Sequence, residues 1–354
     1  MATVNRALWQ DGVGVQGVVR ERPVPTREEL GDRQVLVKVH AWAMNPCDSM
    51  LQTVSLPFVK YPVILGQDVA GTVEAVGSTA ASKFSVGDRI FAFTAGNNGF
   101  QEYVPLDYTL AAKIPGDLSY SEASVFGLCI TTSSFSLFGK NFLNLDFPKL
   151  GAPKTGKTVL IWGGSSAAGS NAIQMAVGAG YEVLTTCSPR NFEYVKSLGA
   201  SKVFDRSRPT VTEDVVAELG DCAGIYMAAG SNAAACKVSA ASKQKVLVVS
   251  SNPVAPGDVP EGVEAKFTFG SGVGPEAFAE TLPATFGGYL PEALANGVYK
   301  IAPPPRTVNR KGLDGIQEAL DIMKAGVSAV KLVVERSWRH DPAHMPYFQP
   351  ADQI

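Results

Sequence analysis

Residues 159–176 read VLIWGGSSAAGSNAIQMA. Four apolar residues run into Gly163 and Gly164, then Ser165, Ser166, Ala167, Ala168 and Gly169, and then a helix-like spacing of apolar positions. Small residues between a buried strand and a helix let the backbone approach a pyrophosphate. The helix N-terminus adds unpaired N–H groups and about half a positive charge. The spacing is not a strict G-x-G-x-x-G, so its weight comes from its context. That context is a regular alternation. KTVLIWGG (157–164) reads as strand and 165–180 as helix. YEVLTTCS (181–188) reads as strand and PRNFEYVKSLGA (189–200) as a helix closed by Gly199. SKVFD (201–205) is a strand, TVTEDVVAELG (210–220) a helix, and GIYMAAG (224–230) and KVLVVSSN (245–252) are strands. Strand–helix alternation of this kind predicts an α/β fold with a doubly wound parallel sheet.

The end of the second strand selects the nucleotide. A site for NAD wants a carboxylate there to bond the ribose 2′-OH. Here the chain gives Thr185, Thr186, Cys187, Ser188, Pro189, Arg190 and Asn191, with no acid, and Arg206 follows the third strand. Hydroxyl, guanidinium and amide groups suit a 2′-phosphate, and Arg meets one with a planar fork of donors. Ser188, Pro189, Arg190, Asn191 and Arg206 are therefore assigned to NADPH.

Outward from this block, the first third is β-rich. QVLVKVHAWAM (34–44) and DVAGTVEAVGS (68–78) read as strands, FSVGDRIFAF (84–93) as strand, Gly-Asp turn and strand, and GFQEYVPL (99–106) as another strand. Short strands broken by glycines suggest a small barrel or curled sheet. Residues 119–139 read as a helix capped by Ser119 or Ser121, and 141–156 as a surface connection. Residues 276–297 read as a helical stretch bent or split by Pro283 and Pro291. LDGIQEALDIMKAG (313–326) is a helix and AVKLVVE (329–335) a strand.

Composition narrows the class. The 354 residues are 45 % hydrophobic and 18 % charged, with net charge −2. That excludes a disordered chain, and the absence of a basic run argues against nucleic acid as a partner. Cys47, Cys129, Cys187, Cys222 and Cys236 are scattered and odd in number, which makes neither a disulfide framework nor a zinc ribbon. MATVNRALWQDGVG lacks the apolar core of a signal peptide, no segment is long and apolar enough for a membrane helix, and the terminal ADQI is no organelle address. A soluble cytoplasmic enzyme is expected.

PVILGQDVAGTVEAVGS, FSVGDRIFAF, GFQEYV and the 157–200 block together resemble the medium-chain dehydrogenase/reductase superfamily. WGGSS with TTCSPRNFEYVKSLGA is similar to the fungal ToxD-like trans-acting enoyl reductases that partner polyketide synthases. The resemblance implies a GroES-like domain at 1–125, a Rossmann domain at 126–300, and a return to the first domain at 301–354. Zinc-dependent members carry Cys and a His-Glu pair where this chain has Asn45 and Gln67-Asp68, and Cys47 falls two positions late. The three histidines, His40, His340 and His344, lie outside these motifs. No metal is therefore expected.

Without a Lewis acid, hydride delivery to an electron-poor C=C is the chemistry the resemblance implies, with donors stabilising charge on the carbonyl oxygen. By the same resemblance Asn45, Cys47, Asp48, Ser49 and Met50 line the cofactor with Gly163, Gly164, Ser165, Ser166, Ala167 and Ala168, and Ser251 and Asn252 close the cleft. Cys129, Ile130, Thr131, Thr132, Ser133, Ser134, Phe135 and Ser136 are assigned to substrate, with Phe269, Gly270, Ser271, Gly272 and Val273 opposite them. Thr131 and Thr132 also read as ordinary helix residues bonding back to the preceding turn. Met50 stands where related enoyl reductases often have Lys or Tyr, and Arg206 where Tyr is usual. No catalytic residue or proton donor is assigned; Tyr103 and Tyr108 qualify by type only. Three functions remain open: an enoyl reductase acting on a carrier-bound polyketide with a synthase as partner, a stand-alone quinone or alkenal reductase, and an NADPH-binding protein with lapsed catalysis. The chain is expected as a monomer or homodimer.

Overall fold

The computed structural model describes residues 4–57, 59–96, 98–268 and 275–337. The β-rich part begins with β1 (Val4–Gln10), β2 (Val18–Pro23) and β3 (Gln34–Ala43), then helix α1 (Pro46–Thr53). It continues through β4 (Val63–Ile64), β5 (Asp68–Val76), β6 (Arg89–Phe93), β7 (Tyr103–Asp107) and β8 (Ala111–Lys113). β3 pairs antiparallel with β5, β5 with β6 and β6 with β8, while β1 joins β2 and β4 in a separate small sheet. Alternation buries Val35, Val37 and Val39 of β3 in one apolar cluster with Trp42, Val69, Val73 and Ile90.

Two helices follow, α2 (Tyr120–Ala123) and α3 (Gly127–Phe138). The Rossmann-type alternation is β9 (Thr158–Trp162), α4 (Ala167–Gly178), β10 (Glu182–Cys187), α5 (Phe192–Ser197), β11 (Lys202–Asp205), α6 (Val211–Glu218), β12 (Cys222–Met227), α7 (Asn232–Ala241), β13 (Val248–Ser250) and β14 (Ala265–Phe267). All six strands are parallel, in the order β11-β10-β9-β12-β13-β14. The order reverses direction beside β9, and ligands of such sheets bind at that switch point, beyond the strands' carboxyl ends. Helix α8 (Leu290–Ala295), β15 (Pro305–Thr307), α9 (Ile316–Ala325) and β16 (Lys331–Glu335) complete the described chain. β16 lies antiparallel to β3, so the chain returns to its first large sheet.

Several expectations need correction. Residues 84–88 are a turn rather than a strand, with the Asp88 carboxylate accepting the Ser85 N–H at 2.8 Å and Gly87 at φ +91°. The helix over 119–139 is two helices. Ser119 caps the first through a reciprocal bond with Glu122. The second starts at Gly127, where a Cβ would come within 2.4 Å of Asp68 Oδ1. The stretch 276–297 is likewise split; its only α-helical turn is α8, with Pro291 in the first turn. Helix α7 was missed because NAAACKVSAA is too uniformly small to show an apolar stripe. β1, β2, β14 and β15 were also missed, β2 because it is exposed along most of its length.

Candidate active site

The turn between β9 and α4 is shaped by side chains beneath it. Gly163 adopts φ +82°, open to glycine without strain. The Thr186 hydroxyl accepts its N–H at 3.1 Å. A Cβ on Gly164 would meet Thr185 Oγ1 at 2.1 Å, so this glycine serves helix–strand packing. Ser166 caps α4, accepting the Gly169 N–H at 3.0 Å. Above this turn lies a cavity of about 320 Å3, lined by Gly163, Ser165, Ser166 and Ala167 on one side and by Ser188, Arg190 and Arg206 on another.

Arg190 and Arg206 are exposed, and neither pairs with a carboxylate among the described residues. The nearest acid by sequence, Asp205, is turned to its own loop, where Oδ1 accepts the Ser207 N–H at 2.9 Å and hydroxyl at 2.7 Å. These Ser207 bonds hold the Asp205 carboxyl below its usual range. Two guanidiniums and a serine thus stand at the cavity mouth, with neither guanidinium held in an ion pair among the described residues.

The sequence reading missed the third wall. Met44 and Pro46 line the cavity, as do Met323 and residues 327–331 between α9 and β16. Ser328 accepts a hydrogen bond from Asn191 Nδ2 at 3.1 Å, joining the return segment to the loop after β10. Ala229, past β12, completes the lining. The one available signal was that AVKLVVE begins beside glycine and serine.

At the inner end is a buried polar cluster. Asp68 and Lys331 are almost completely shielded from solvent, with Nζ 2.9 Å from Asp68 Oδ2. Lys331 also donates to Asn45 Oδ1, and Asn45 Nδ2 donates to Asp68 Oδ2 at 2.9 Å. Asp68 Oδ1 accepts the Leu128 N–H at 2.6 Å, so this carboxylate caps α3. Burial alone would lower the Lys331 pKa, but Asp68, with Cys129 and Asp48 beside it, more than offsets this and raises it above the usual lysine value. Asp48 Oδ2 accepts the Asn45 N–H at 2.8 Å, capping α1. Its other oxygen has no partner among the described residues, and burial together with Asp68 pushes the Asp48 pKa up to about 7. Gln67, buried beside them, accepts the Gly96 N–H through Oε1 at 3.2 Å.

The assigned residues divide accordingly. Asp48 is a buried cap rather than a wall of the cavity, and Asn45 faces Lys331. Cys47 is half-buried and Met50 exposed. Cys47, Gly164, Ala168, Pro189 and Asn191 are chain neighbours of lining residues without lining the cavity, and Ser49 and Met50 do not line it either. Ser251 and Asn252 sit beyond the carboxyl end of β13, where Tyr226 and Ser251 share a 2.6 Å hydroxyl bond.

On α3, Cys129, Ile130, Thr131, Ser133, Ser134 and Ser136 are buried, and none of them lines the cavity above the nucleotide turn. Their polar atoms are committed inward. Thr131 Oγ1 bonds Gly127 O at 3.0 Å, Ser133 Oγ bonds Cys129 O at 2.8 Å, and Ser136 Oγ bonds Thr132 O at 2.8 Å. The cause is that α3 packs along α4 between the two sheets. Only Thr132 and Phe135 of the eight keep exposure. Phe269 to Val273 lie outside the described residues.

Residues 31–116 match the alcohol dehydrogenase GroES-like domain. The chain is 42 % identical to the dehydrogenase azaJ of Aspergillus niger over 336 residues, covering 90 % of this chain and 94 % of that protein. The chain belongs to the medium-chain dehydrogenase/reductase superfamily.

Within that superfamily it is also 35 % identical to the trans-enoyl reductase himH of Aspergillus japonicus, over 94 % of this chain and 98 % of that protein. An alcohol dehydrogenase superfamily protein from Novosphingobium aromaticivorans superposes with a TM-score of 0.73 at 27 % identity, covering 94 % of this chain and all of that one, 100 %. The fold is thus a Rossmann sheet joined to a GroES-like β-rich domain, and the medium-chain dehydrogenase/reductase fold implies an oxidoreductase using a nicotinamide cofactor. No described helix is long and apolar enough to cross a membrane.

Proposed function

We propose that this chain is an NADPH-dependent enoyl reductase that reduces the activated C=C of a carrier-bound polyketide thioester, working in trans with a polyketide synthase in the cytoplasm. In this reading residues 1–125 and 301–354 form the catalytic part and 126–300 the nucleotide-binding part. The observation that carries it is the buried Lys331–Asp68–Asn45 cluster, in which Asn45 and Asp68 stand where the resemblance puts Cys and the His-Glu pair in zinc-dependent relatives. A zinc ion does not fit this donor set. An ammonium already occupies Asn45 Oδ1 and Asp68 Oδ2, Gln67 Oε1 is taken by Gly96, and burial pushes the Cys129 thiol up to about 12. Among the described residues no three His, Cys, Asp or Glu side chains group to hold a metal.

NADPH fits the cavity above the β9–α4 turn, with Ser188, Arg190 and Arg206 for the 2′-phosphate and the Gly163–Ala167 turn for the pyrophosphate. When bound it supplies a hydride for the β-carbon of the enoyl group. The chain's own task is then to hold the thioester and stabilise the charge that develops on its carbonyl oxygen. Thr132 is the hydroxyl of α3 left for that bond, because those of Thr131, Ser133 and Ser136 are committed within the helix and that of Ser134 is buried against Met175 Sδ at 3.4 Å. The similarity to a trans-enoyl reductase supports the substrate class.

NADPH oxidation by the purified chain with crotonyl thioesters and with small quinones tests the reading. Preferred turnover of thioesters is expected. Turnover of quinones alone would replace it with a stand-alone quinone reductase, and NADPH binding without turnover of either would mark lapsed catalysis.

A further inference from the structure

A second cavity, of about 440 Å3, opens on the β-rich part away from the nucleotide turn. Its walls include Trp9, Arg22, Lys60, Ile64, Gly96 and Asn98, and among the described residues no acidic side chain lines it. Trp9 and Ile64 are paired across β1 and β4, which makes one wall apolar. Arg22 and Lys60 are exposed, and neither has a carboxylate partner among the described residues. In a chain of net charge −2, two unneutralised cations over one aromatic wall favour an anion on an otherwise apolar ligand.

The opposite rim is held in an uncommon backbone conformation. Ala95 has φ +48° and Asn98 φ +89°, in the left-handed region that non-glycine residues rarely adopt. Hydrogen bonds fix this rim to the strand that leads into the buried cluster. Asn98 N–H donates to Ile64 O at 2.8 Å, Thr94 N–H to Gln67 O at 2.9 Å, and Gly96 N–H to Gln67 Oε1 at 3.2 Å. Ile64 stands four residues before Asp68, and four residues span at most about 14 Å. The cavity is therefore one short segment of chain away from the Asp68–Lys331 cluster, while its cations face solvent.

We propose that this second cavity is a subsite for the phosphate of a phosphopantetheine arm, seated between Arg22 and Lys60 with the arm running along Trp9 and Ile64 toward the reaction cleft. The proposal rests on the enoyl-thioester reading, because it assigns the charged end of the arm whose other end carries the reacting acyl group. Arg22 and Lys60 hold the phosphate by charge-assisted bonds, and the apolar wall accepts the pantetheine carbons. Carrier protein and coenzyme A both present this arm.

Calorimetry on the full chain with 4′-phosphopantetheine and with pantetheine tests the subsite without turnover. The phosphorylated arm should bind at least tenfold tighter, and Arg22→Glu with Lys60→Glu should erase the difference. NADPH affinity and the kcat/KM for crotonyl-N-acetylcysteamine, which lacks the phosphate, should stay unchanged in that variant. Its kcat/KM should fall tenfold or more on the crotonyl-carrier protein; a matching fall on crotonyl-CoA shows recognition of the arm from either source, and a fall on the carrier alone assigns it to the carrier. Equal binding of the two arms, or a variant that loses nothing on either phosphorylated substrate, overturns the proposal. The two readings fail separately. Phosphate-dependent binding without thioester reduction ends the enoyl-reductase reading, and reduction of the N-acetylcysteamine ester with no phosphate preference ends the subsite.

Discussion

Lys331 Nζ lies 2.9 Å from Asp68 Oδ2, and both side chains are withdrawn from solvent. The two residues belong to opposite ends of the chain, on β16 and β5. Through Asp68 the pair also reaches the first turn of α3, and through Asn45 the cap of α1. Lys331, Met44 and Pro46 all border the nucleotide cavity, so one ion pair sets the relative position of two of its walls.

Breaking a buried pair leaves an uncompensated charge, which typically costs about 3 to 5 kcal/mol, whereas removing both partners costs less. Lys331→Met is therefore expected to lower the urea midpoint strongly, and Lys331→Met with Asp68→Asn to recover part of the loss. Strictly additive effects in that double-mutant cycle would show that the two side chains are not coupled. Because the ammonium fills the donor set, elemental analysis should also find far less than one zinc per chain. Stoichiometric zinc would contradict this geometry.

Arg190 and Arg206 should decide between the two nicotinamide nucleotides. NADPH should bind at least tenfold tighter than NADH. Replacing both arginines by Ala should weaken NADPH by roughly 10- to 100-fold, since a hydrogen bond to a charged group is worth about 1.5 to 3 kcal/mol. NADH affinity should hardly change. Fluorescence titration of both nucleotides reads this out, and equal dissociation constants in the unaltered chain would sink it.

Asp48 should make stability depend on pH. Its pKa is raised by burial and by Asp68 to about 7, from an ordinary 3.8. Between those values the folded chain binds more protons at this site than the unfolded chain, so this contribution to stability falls as pH rises through that window. Asp48→Asn keeps an oxygen to cap the Asn45 N–H and cannot ionise. Relative to that variant, the unaltered chain should lose Tm steadily from pH 4 to pH 7 and little beyond. A constant difference in Tm across that range would show that Asp48 is ionised throughout.

The Rossmann half was legible because its strands are continuous apolar runs and its βα turn is spelled in small residues. Thr158–Trp162 and Glu182–Cys187 fall where the pattern put them. The return segment that closes the nucleotide cavity was not legible as part of a site. Residues 327–331 reach it only because β16 pairs with β3, a contact between distant stretches that no local periodicity reports. On α3 the resemblance set CITTSSFS against substrate, and the structure buries six of its eight residues. The hydroxyls of Thr131, Ser133 and Ser136 satisfy preceding carbonyls, which lets Ser and Thr be buried in a helix. Nothing in AVKLVVE marks Lys331 as buried; its role comes from Asp68, 2.9 Å away on a distant strand.

Thr132 and Phe135 carry the last prediction, since they are the members of the 129–136 stretch left accessible. In the enoyl-reductase reading the Thr132 hydroxyl bonds the thioester oxygen as charge develops there. Thr132→Val keeps the shape and removes the donor. It should lower kcat and kcat/KM together on a crotonyl thioester, by about 10- to 100-fold, as expected for a bond made chiefly in the transition state. NADPH affinity should be unaffected. Thr131→Val is the control, because Thr131 Oγ1 is buried and bonded to Gly127 O. It should shift stability by about 1 kcal/mol and leave kcat intact. Phe135 packs against Phe142 and Phe278, with centroids 4.8 and 5.3 Å apart. Phe135→Ala should therefore raise KM more than it lowers kcat. If Thr131→Val and Thr132→Val slow turnover equally, α3 acts through its packing rather than through a hydroxyl, and the oxyanion donor must be sought on another element.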